Sequence, residues 1–168
     1  MAPGPLRFDP IDEAKRHWAA RDGDEAAEGM AVVTSVIRVQ QIFMTRSEDV
    51  LRRFGLTFAR YEVLMLLAFS REGRLPLGKI GERLQVHAAS VTNAIDRLEG
   101  QHFVERVPNP RDGRGTLAQI TDAGRDIAHQ ATTAINAEVF LDMGLSERDL
   151  ADLYRVLRKI RRDAGDFA

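Results

Sequence analysis

Residues 88–97 combine small side chains with groups that can hydrogen-bond to a nucleic acid. At helical spacing, Val91, Ile95 and Leu98 form one apolar face. The other face carries Ala89, Asn93 and Arg97, with Ser90 beside them, where an ordinary solvated helix would carry Glu and Lys. Small residues let a helix backbone approach a partner closely, and Asn, Thr and Arg suit base edges and phosphates. The pattern predicts base-facing side chains at Ala88, Ala89, Ser90, Thr92 and Asn93, and a phosphate or base contact at Arg97.

A β-hairpin is predicted directly after this helix. Residues 103–107 and 116–120 have strand propensity, and the turn-rich segment between them carries Arg111, a candidate phosphate or base contact, and Arg114. Before the helix, residues 77–84 form a short amphipathic helix and residues 85–87 a turn, so that a helix-turn-helix spans 77–101. A helix-turn-helix followed by a hairpin with a cationic tip is the outline of a winged helix-turn-helix. Its second helix would enter the major groove and its hairpin, the wing, an adjacent minor groove.

The residues S-V-T-N-A-I-D-R-L-E-G, F-V-E-R, P-R-D-G-R and I-T-D-A-G, in this order, resemble the MarR family of bacterial transcriptional regulators. The resemblance runs from about residue 32 to residue 160 and is most specific in its middle third. It implies that Asp112 holds Arg114 for insertion into the minor groove. It also implies a homodimer in which the two chain ends intertwine.

The flanking segments predict a mainly α fold with a small β-hairpin wing and dimerisation helices at both ends. Helix starts are predicted at Asp9 with Pro10 after it, at Thr57, and at a capping box from Ser146 to Asp149. Gly55 is predicted to close a helix in the left-handed conformation, and a helix that begins at residue 121 is predicted to run to about residue 142.

Three regions are expected: 1–54 with an extra helix and a dimerisation helix, 55–125 with the DNA-binding region, and 126–168 with the C-terminal dimerisation helices. The last region contains a coiled-coil-like seam at 3-4-3 spacing, formed by Leu150, Leu153, Leu157 and Ile160. Packing within the chain is the alternative explanation of the seam, and an intermolecular seam is favoured.

Composition limits the class of protein. The chain has 168 residues, enough for one domain with a sizeable core, and no cysteine, which removes disulfides and thiol-based sensing. No apolar run reaches about 18 residues and the N-terminus has no apolar signal core, so a cytoplasmic protein without a membrane segment is expected. Net charge is −1, with residues 71–125 at +2, from nine Lys and Arg against seven Asp and Glu. Non-specific affinity for DNA should therefore be modest.

Enzymatic and metal chemistry have no supporting motif. The four histidines lack metal-ligand spacing, and no phosphate loop or nucleophile elbow is present. We expect no catalytic residue, no metal and no cofactor.

A ligand pocket follows from the resemblance. A subgroup of the family has an additional N-terminal helix, as predicted here, and responds to urate or related anions through a Trp, an acid and two arginines. Trp18, Glu62 and Arg106 match three of these groups, Ala94 replaces the second arginine, and Arg38 is assigned to the same pocket. Because the lost cation weakens an anion clamp, urate itself is doubtful. Trp18 has two equal explanations, a wall of the pocket and a latch that pins the extra helix.

Together these features predict a dimeric, sequence-specific regulator that binds a pseudo-palindromic operator. A repressor released by a small anionic or aromatic ligand is expected. The alternative is a ligand- or protein-binding adaptor that keeps the fold without binding an operator. Its support is the net charge of −1 and the missing arginine at position 94.

Overall fold

The computed structural model describes residues 4, 6–110 and 115–168. Contacts divide the chain into two units, Met1–Asp49 and Val50–Ala168. Most described residues are helical, and a three-stranded antiparallel sheet lies in the second unit. The predicted fold class, mainly α with a small β wing, is confirmed. Over the described ranges, no helix combines the length and apolarity needed to cross a bilayer.

The N-terminal unit contains α1 (Pro10–Asp22) and nearly all of α2 (Asp24–Leu51). As the sequence predicts, Asp9 caps α1, accepting a 2.8 Å hydrogen bond from the Ile11 amide, and Pro10 occupies the first helical position. α1 ends at Gly23, whose φ of 93° favours glycine. An ion pair of 2.6 Å between Lys15 Nζ and Glu28 Oε1 connects α1 to α2.

The C-terminal unit begins with the end of α2, a 3-10 turn (Arg52–Phe54) and α3 (Phe58–Phe69). Gly55 adopts the left-handed conformation predicted for it, with φ 68°. The Thr57 hydroxyl caps α3 and accepts a hydrogen bond from the Arg60 amide at 3.4 Å. The apolar face of α3 then buries Tyr61, Val63, Leu64 and Leu67.

α4 (Leu77–Leu84) and α5 (Ala88–Gly100) form the predicted helix-turn-helix. Ile80 of α4 and the apolar face of α5 are buried in the same core, against α3 and the sheet. The fold thus fixes one side of α5 by packing and leaves the other side exposed.

The sheet contains β1 (Arg74–Pro76), β2 (Val104–Pro108) and β3 (Thr116–Ile120), in the order β1-β3-β2. β2 and β3 are the predicted hairpin, with Val104 opposite Ile120. β1 was not predicted, and it adds a third strand that pairs Arg74 with Gln119. Three residues are too few for an alternating pattern to show in the sequence.

After the sheet come α6 (Asp122–Ile135), a π-helical segment (Asn136–Phe140) and α7 (Glu147–Asp163). The sequence predicted one helix up to about residue 142, whereas the last turn has π geometry. Gly124 lies against the Phe103 carbonyl so closely that a Cβ would sit 2.1 Å from that oxygen, which anchors the start of α6 beside β2. The predicted capping box is present, with the Asp149 amide donating to Ser146 Oγ at 3.2 Å.

Candidate nucleic-acid interface

The turn from α4 into α5 is tight and is held by backbone bonds. Gln85 has φ 55°, and the Val86 amide donates to the Gly81 carbonyl at 3.1 Å. A Cβ on Gly81 would lie 3.2 Å from the Val86 carbonyl oxygen, so the turn favours glycine there. His87 caps α5 through Nδ1, which accepts a hydrogen bond from the Ala89 amide at 3.2 Å. The turn therefore sets the orientation of α5 relative to α4.

The two faces of α5 differ as the sequence predicts. Its buried side chains are Val91, Ala94, Ile95 and Leu98, each at most 8% exposed. All six predicted contact residues are exposed, namely Ala88, Ala89, Ser90, Thr92, Asn93 and Arg97. Their role in binding DNA stays a prediction.

Hydrogen bonding on the exposed face leaves several groups available. The Thr92 hydroxyl donates to the Ala88 carbonyl at 3.1 Å, so its proton is used within the helix. The side chains of Ser90, Asn93 and Arg97 have no hydrogen-bond or ion-pair partner among the described residues. An arginine without a counter-ion on a face of small residues suits a polyanion.

A cleft of about 720 Å³ runs between this face and the start of α3. It is lined by Thr57, Ala59, Arg60, Ala89, Ser90, Asn93, Ala94 and Arg97. Sequence reasoning missed Arg60. The sequence did contain a signal for it: Arg60 falls in the first turn of the predicted helix, where the positive end of the helix dipole disfavours a cation.

Arg106 of β2 is bound to α5 on a different side of that helix. Its guanidinium bonds to Asp96 Oδ1 at 2.5 Å and to the Glu99 carboxylate, and its amide donates to Glu99 Oε1 at 3.3 Å. The hydrogen bond to Asp96 and the charge of Glu99 raise the pKa of Arg106 above its usual value. The two carboxylates of α5 thus hold the wing strand against the helix.

At the end of the β2–β3 ladder, the Asn109 amide donates to the Gly115 carbonyl at 2.9 Å. The predicted wing contacts Arg111, Asp112 and Arg114 lie outside the described residues.

The four predicted pocket residues belong to different units. Trp18 and Arg38 lie in the N-terminal unit, where Trp18 is 39% exposed and the Arg21 guanidinium lies 5.0 Å from its ring centroid. Glu62 and Arg106 lie in the C-terminal unit. Glu62 is half-buried, burial raises the pKa of its carboxyl, and no described residue bonds to it. The pocket stays a prediction.

The seam on α7 is incompletely covered. Leu150 and Leu157 are half-buried, Leu153 is 38% exposed and Ile160 is 51% exposed.

In the part of the chain that the structure describes, no three His, Asp or Glu side chains form a group that could hold a metal ion.

Known proteins share both the sequence and this arrangement. The MarR family model matches residues 56–116. The transcriptional regulator SarZ of Staphylococcus aureus (strain USA300) is 30% identical over 118 residues, which cover 70% of this chain and 78% of SarZ.

Two solved structures from Streptomyces coelicolor extend the likeness to the fold. Sco5413, a MarR family transcriptional regulator, is 46% identical with a TM-score of 0.77, covering 83% of this chain and 97% of that one. Sco3205, another MarR family regulator, solved in complex with DNA, is 25% identical with a TM-score of 0.72, covering 82% and 88%. The chain belongs to the MarR family of transcriptional regulators.

Proposed function

We propose that this protein is a homodimeric repressor that binds a pseudo-palindromic operator through α5 and is released by a small ligand. The observation that carries the proposal is the exposed face of α5, where small residues surround Asn93 and Arg97, whose guanidinium has no counter-ion among the residues that the structure describes. The Sco3205 complex with DNA supports extending DNA binding to this chain.

Each contact has a distinct role in this proposal. Ala88, Ala89, Ser90, Thr92 and Asn93 face the base edges, and among them Asn93 offers the paired donor and acceptor that adenine requires. Arg97 and Arg111 contact phosphates or bases. Arg114, positioned by Asp112, enters the minor groove, whose negative potential favours a guanidinium.

Exposed apolar side chains in both units support a dimer. On α2 they are Val32, Val33, Val36, Ile37, Val39 and Ile42, each at least 41% exposed. On α7 and the segment before it they are Phe140, Leu141, Leu145, Leu153, Val156 and Ile160. Apolar surface of this extent on several helices is typical of a surface that another protein covers. A second copy, with the seam Leu150, Leu153, Leu157 and Ile160 at its interface, is the proposed partner.

The proposed release by a small ligand depends on four predicted pocket residues, Trp18, Arg38, Glu62 and Arg106. Trp18 offers an aromatic surface and Arg38 a cation, while Glu62 is a half-buried acid without a bonding partner among the described residues. These groups suit a small ligand that is aromatic or anionic. An anion that recruited Arg106 would compete with Asp96 and Glu99, and so would loosen β2 from α5.

Selection of bound sequences from random duplexes, followed by footprinting on the DNA upstream of the gene, tests the proposal. The expected site is an inverted repeat whose half-sites lie about 10 base pairs apart, or a small multiple of that. Transcription from that DNA should fall when the protein is added and recover with the effector. A footprint without two-fold symmetry contradicts the dimer, and failure to bind any duplex favours the adaptor.

A further inference from the structure

The cleft between α3 and α5 has the chemistry of an anion site. Arg60 and Arg97 line it from different helices, and no carboxylate of residues 4, 6–110 or 115–168 does. The nearby acids of α5, Asp96 and Glu99, are bound to Arg106 instead. Among the described residues, neither Arg60 nor Arg97 has an acidic partner, so the two positive charges face the cleft without neutralisation.

Arg60 is held in place by neutral groups. Its Nε donates to Thr57 Oγ1 at 3.2 Å and its Nη1 donates to Gln101 Oε1 at 3.0 Å. Gln101, the C-terminal cap of α5, donates in turn to the Gly55 carbonyl at 3.0 Å. These bonds orient the guanidinium but keep its full charge, and they leave three of its five N–H groups free.

The helix dipole opposes the positive charge of Arg60, and a bound anion would remove this unfavourable contribution. Arg60 lies in the first turn of α3, where the helix dipole already places positive charge and no acidic residue compensates. A bound anion would gain from the dipole, from Arg60 and from Arg97 together. The cleft is also lined by small side chains, so that a bulky polymer backbone can approach; these are Ala59, Ala89 and Ala94.

We propose that Arg60, positioned by Thr57 and Gln101, clamps a backbone phosphate of the operator together with Arg97. The proposal rests on the proposed DNA-binding function and extends its contact surface from α5 to the start of α3. A phosphate is favoured over a base because Arg60 lies on α3, outside the helix that would enter the groove, and an arginine fork matches phosphate oxygens. The clamp therefore adds affinity and orientation without reading sequence.

The salt dependence of DNA binding measures the clamp. Arg60→Gln should reduce the slope of log affinity against log salt by about 0.9 per subunit, equally for the operator and for unrelated DNA. The control is Arg148→Gln, which removes the same charge from a side chain on α7 that is 92% exposed, and it should leave the slope unchanged. Arg60→Lys should keep the slope and bind more weakly, because the charge remains while the fork is lost.

Single methylphosphonates in the operator locate the contact. At one symmetric position in each half-site, the neutral linkage should weaken binding by the unmodified protein more than binding by Arg60→Gln, in which Arg97 alone contacts that phosphate. Equal slopes for Arg60→Gln and Arg148→Gln on a DNA that the protein footprints would overturn the clamp and leave the proposed function intact. If the unmodified protein binds no DNA, both fail.

A free anion is the competing occupant of the same cleft. Inorganic phosphate titrated into the protein, followed by NMR of the arginine side chains, separates it from the DNA backbone. Millimolar binding at Arg60 with no methylphosphonate effect would assign the cleft to a free anion and overturn the proposal.

Discussion

α5 and α7 each expose a long face, and the chemistry of the two faces is opposite. α5 packs one face into the core and exposes small residues, Asn93 and Arg97. α7 buries no residue, and its exposed side chains include Leu153, Tyr154 and Ile160, each at least 38% exposed. Burying an apolar face against another protein lowers the free energy of the system, because apolar surface is removed from water. A face of small polar residues and an arginine is instead stabilised by contact with a polyanion. Composition thus separates a proposed protein partner from a proposed DNA partner.

The largest effect is expected from charging the α7 face. Leu153→Asp combined with Leu157→Asp should break the proposed dimer, because unpaired carboxylates in an apolar interface each cost about 3 kcal/mol or more. Sedimentation at micromolar concentration should then find a monomer, and operator affinity should fall with it. Ala151→Asp, an exposed position off the seam, is the matched control and should remain dimeric. A monomer in the unmodified protein would contradict the assignment of this face.

The two faces of α5 can be separated by a pair of truncations. Ile95→Ala on the buried face should cost about 2–5 kcal/mol of unfolding free energy, because Ile95 is fully buried and its loss leaves a cavity. Thr92→Ala on the exposed face should change stability by no more than about 0.5 kcal/mol and alter DNA binding instead. Denaturant unfolding and operator titration on the same samples measure both. Equal losses of stability would mean that the exposed face also packs within the chain.

Asn93 should carry sequence discrimination. Asn93→Ala removes a bidentate partner for adenine and should cost about 1–3 kcal/mol against the correct base at one or two positions of each half-site. Binding to a panel of single-base operator variants gives the profile. A uniform drop in affinity with an unchanged profile would make Asn93 a phosphate contact.

The parts of the fold that local pattern determines were predictable from the sequence. The caps at Asp9, Thr57 and Ser146, the amphipathic helices and the β2–β3 hairpin all follow from residues close in sequence. β1 did not, since a three-residue strand is defined by its partner β3 and not by its own pattern.

The candidate site was predictable where one helix contains it. The exposed face of α5 follows from periodicity alone. The first-turn position of Arg60 was visible in the sequence, but its place in one cleft with Arg97 was not, because that depends on how α3 packs against α5. Likewise Arg106 matched a ligand-binding arginine by motif, but the packing of β2 on α5 gives it Asp96 and Glu99 as partners.

Replacing Glu62 is expected to have the smallest effect. Glu62 is half-buried within its own chain, whereas the compared faces of α5 and α7 are exposed. Burial raises the pKa of its carboxyl above the ordinary value of 4.5, so the folded state holds the proton to a higher pH than the unfolded state does. Folding therefore binds a proton between the two values, and stability falls as pH rises through that window. Glu62→Gln removes the cost of the buried charge and should raise the unfolding free energy at pH 7. The gain should shrink as pH falls and vanish below about 4.5. Asp126→Asn on the exposed side of α6 is the control, and chemical denaturation of both variants at pH 4 and pH 7 is the measurement. If Glu62→Gln instead loses stability at pH 7, the carboxylate has a stabilising partner in the folded protein, and Glu62 is then not the unpaired acid that the proposed ligand pocket requires.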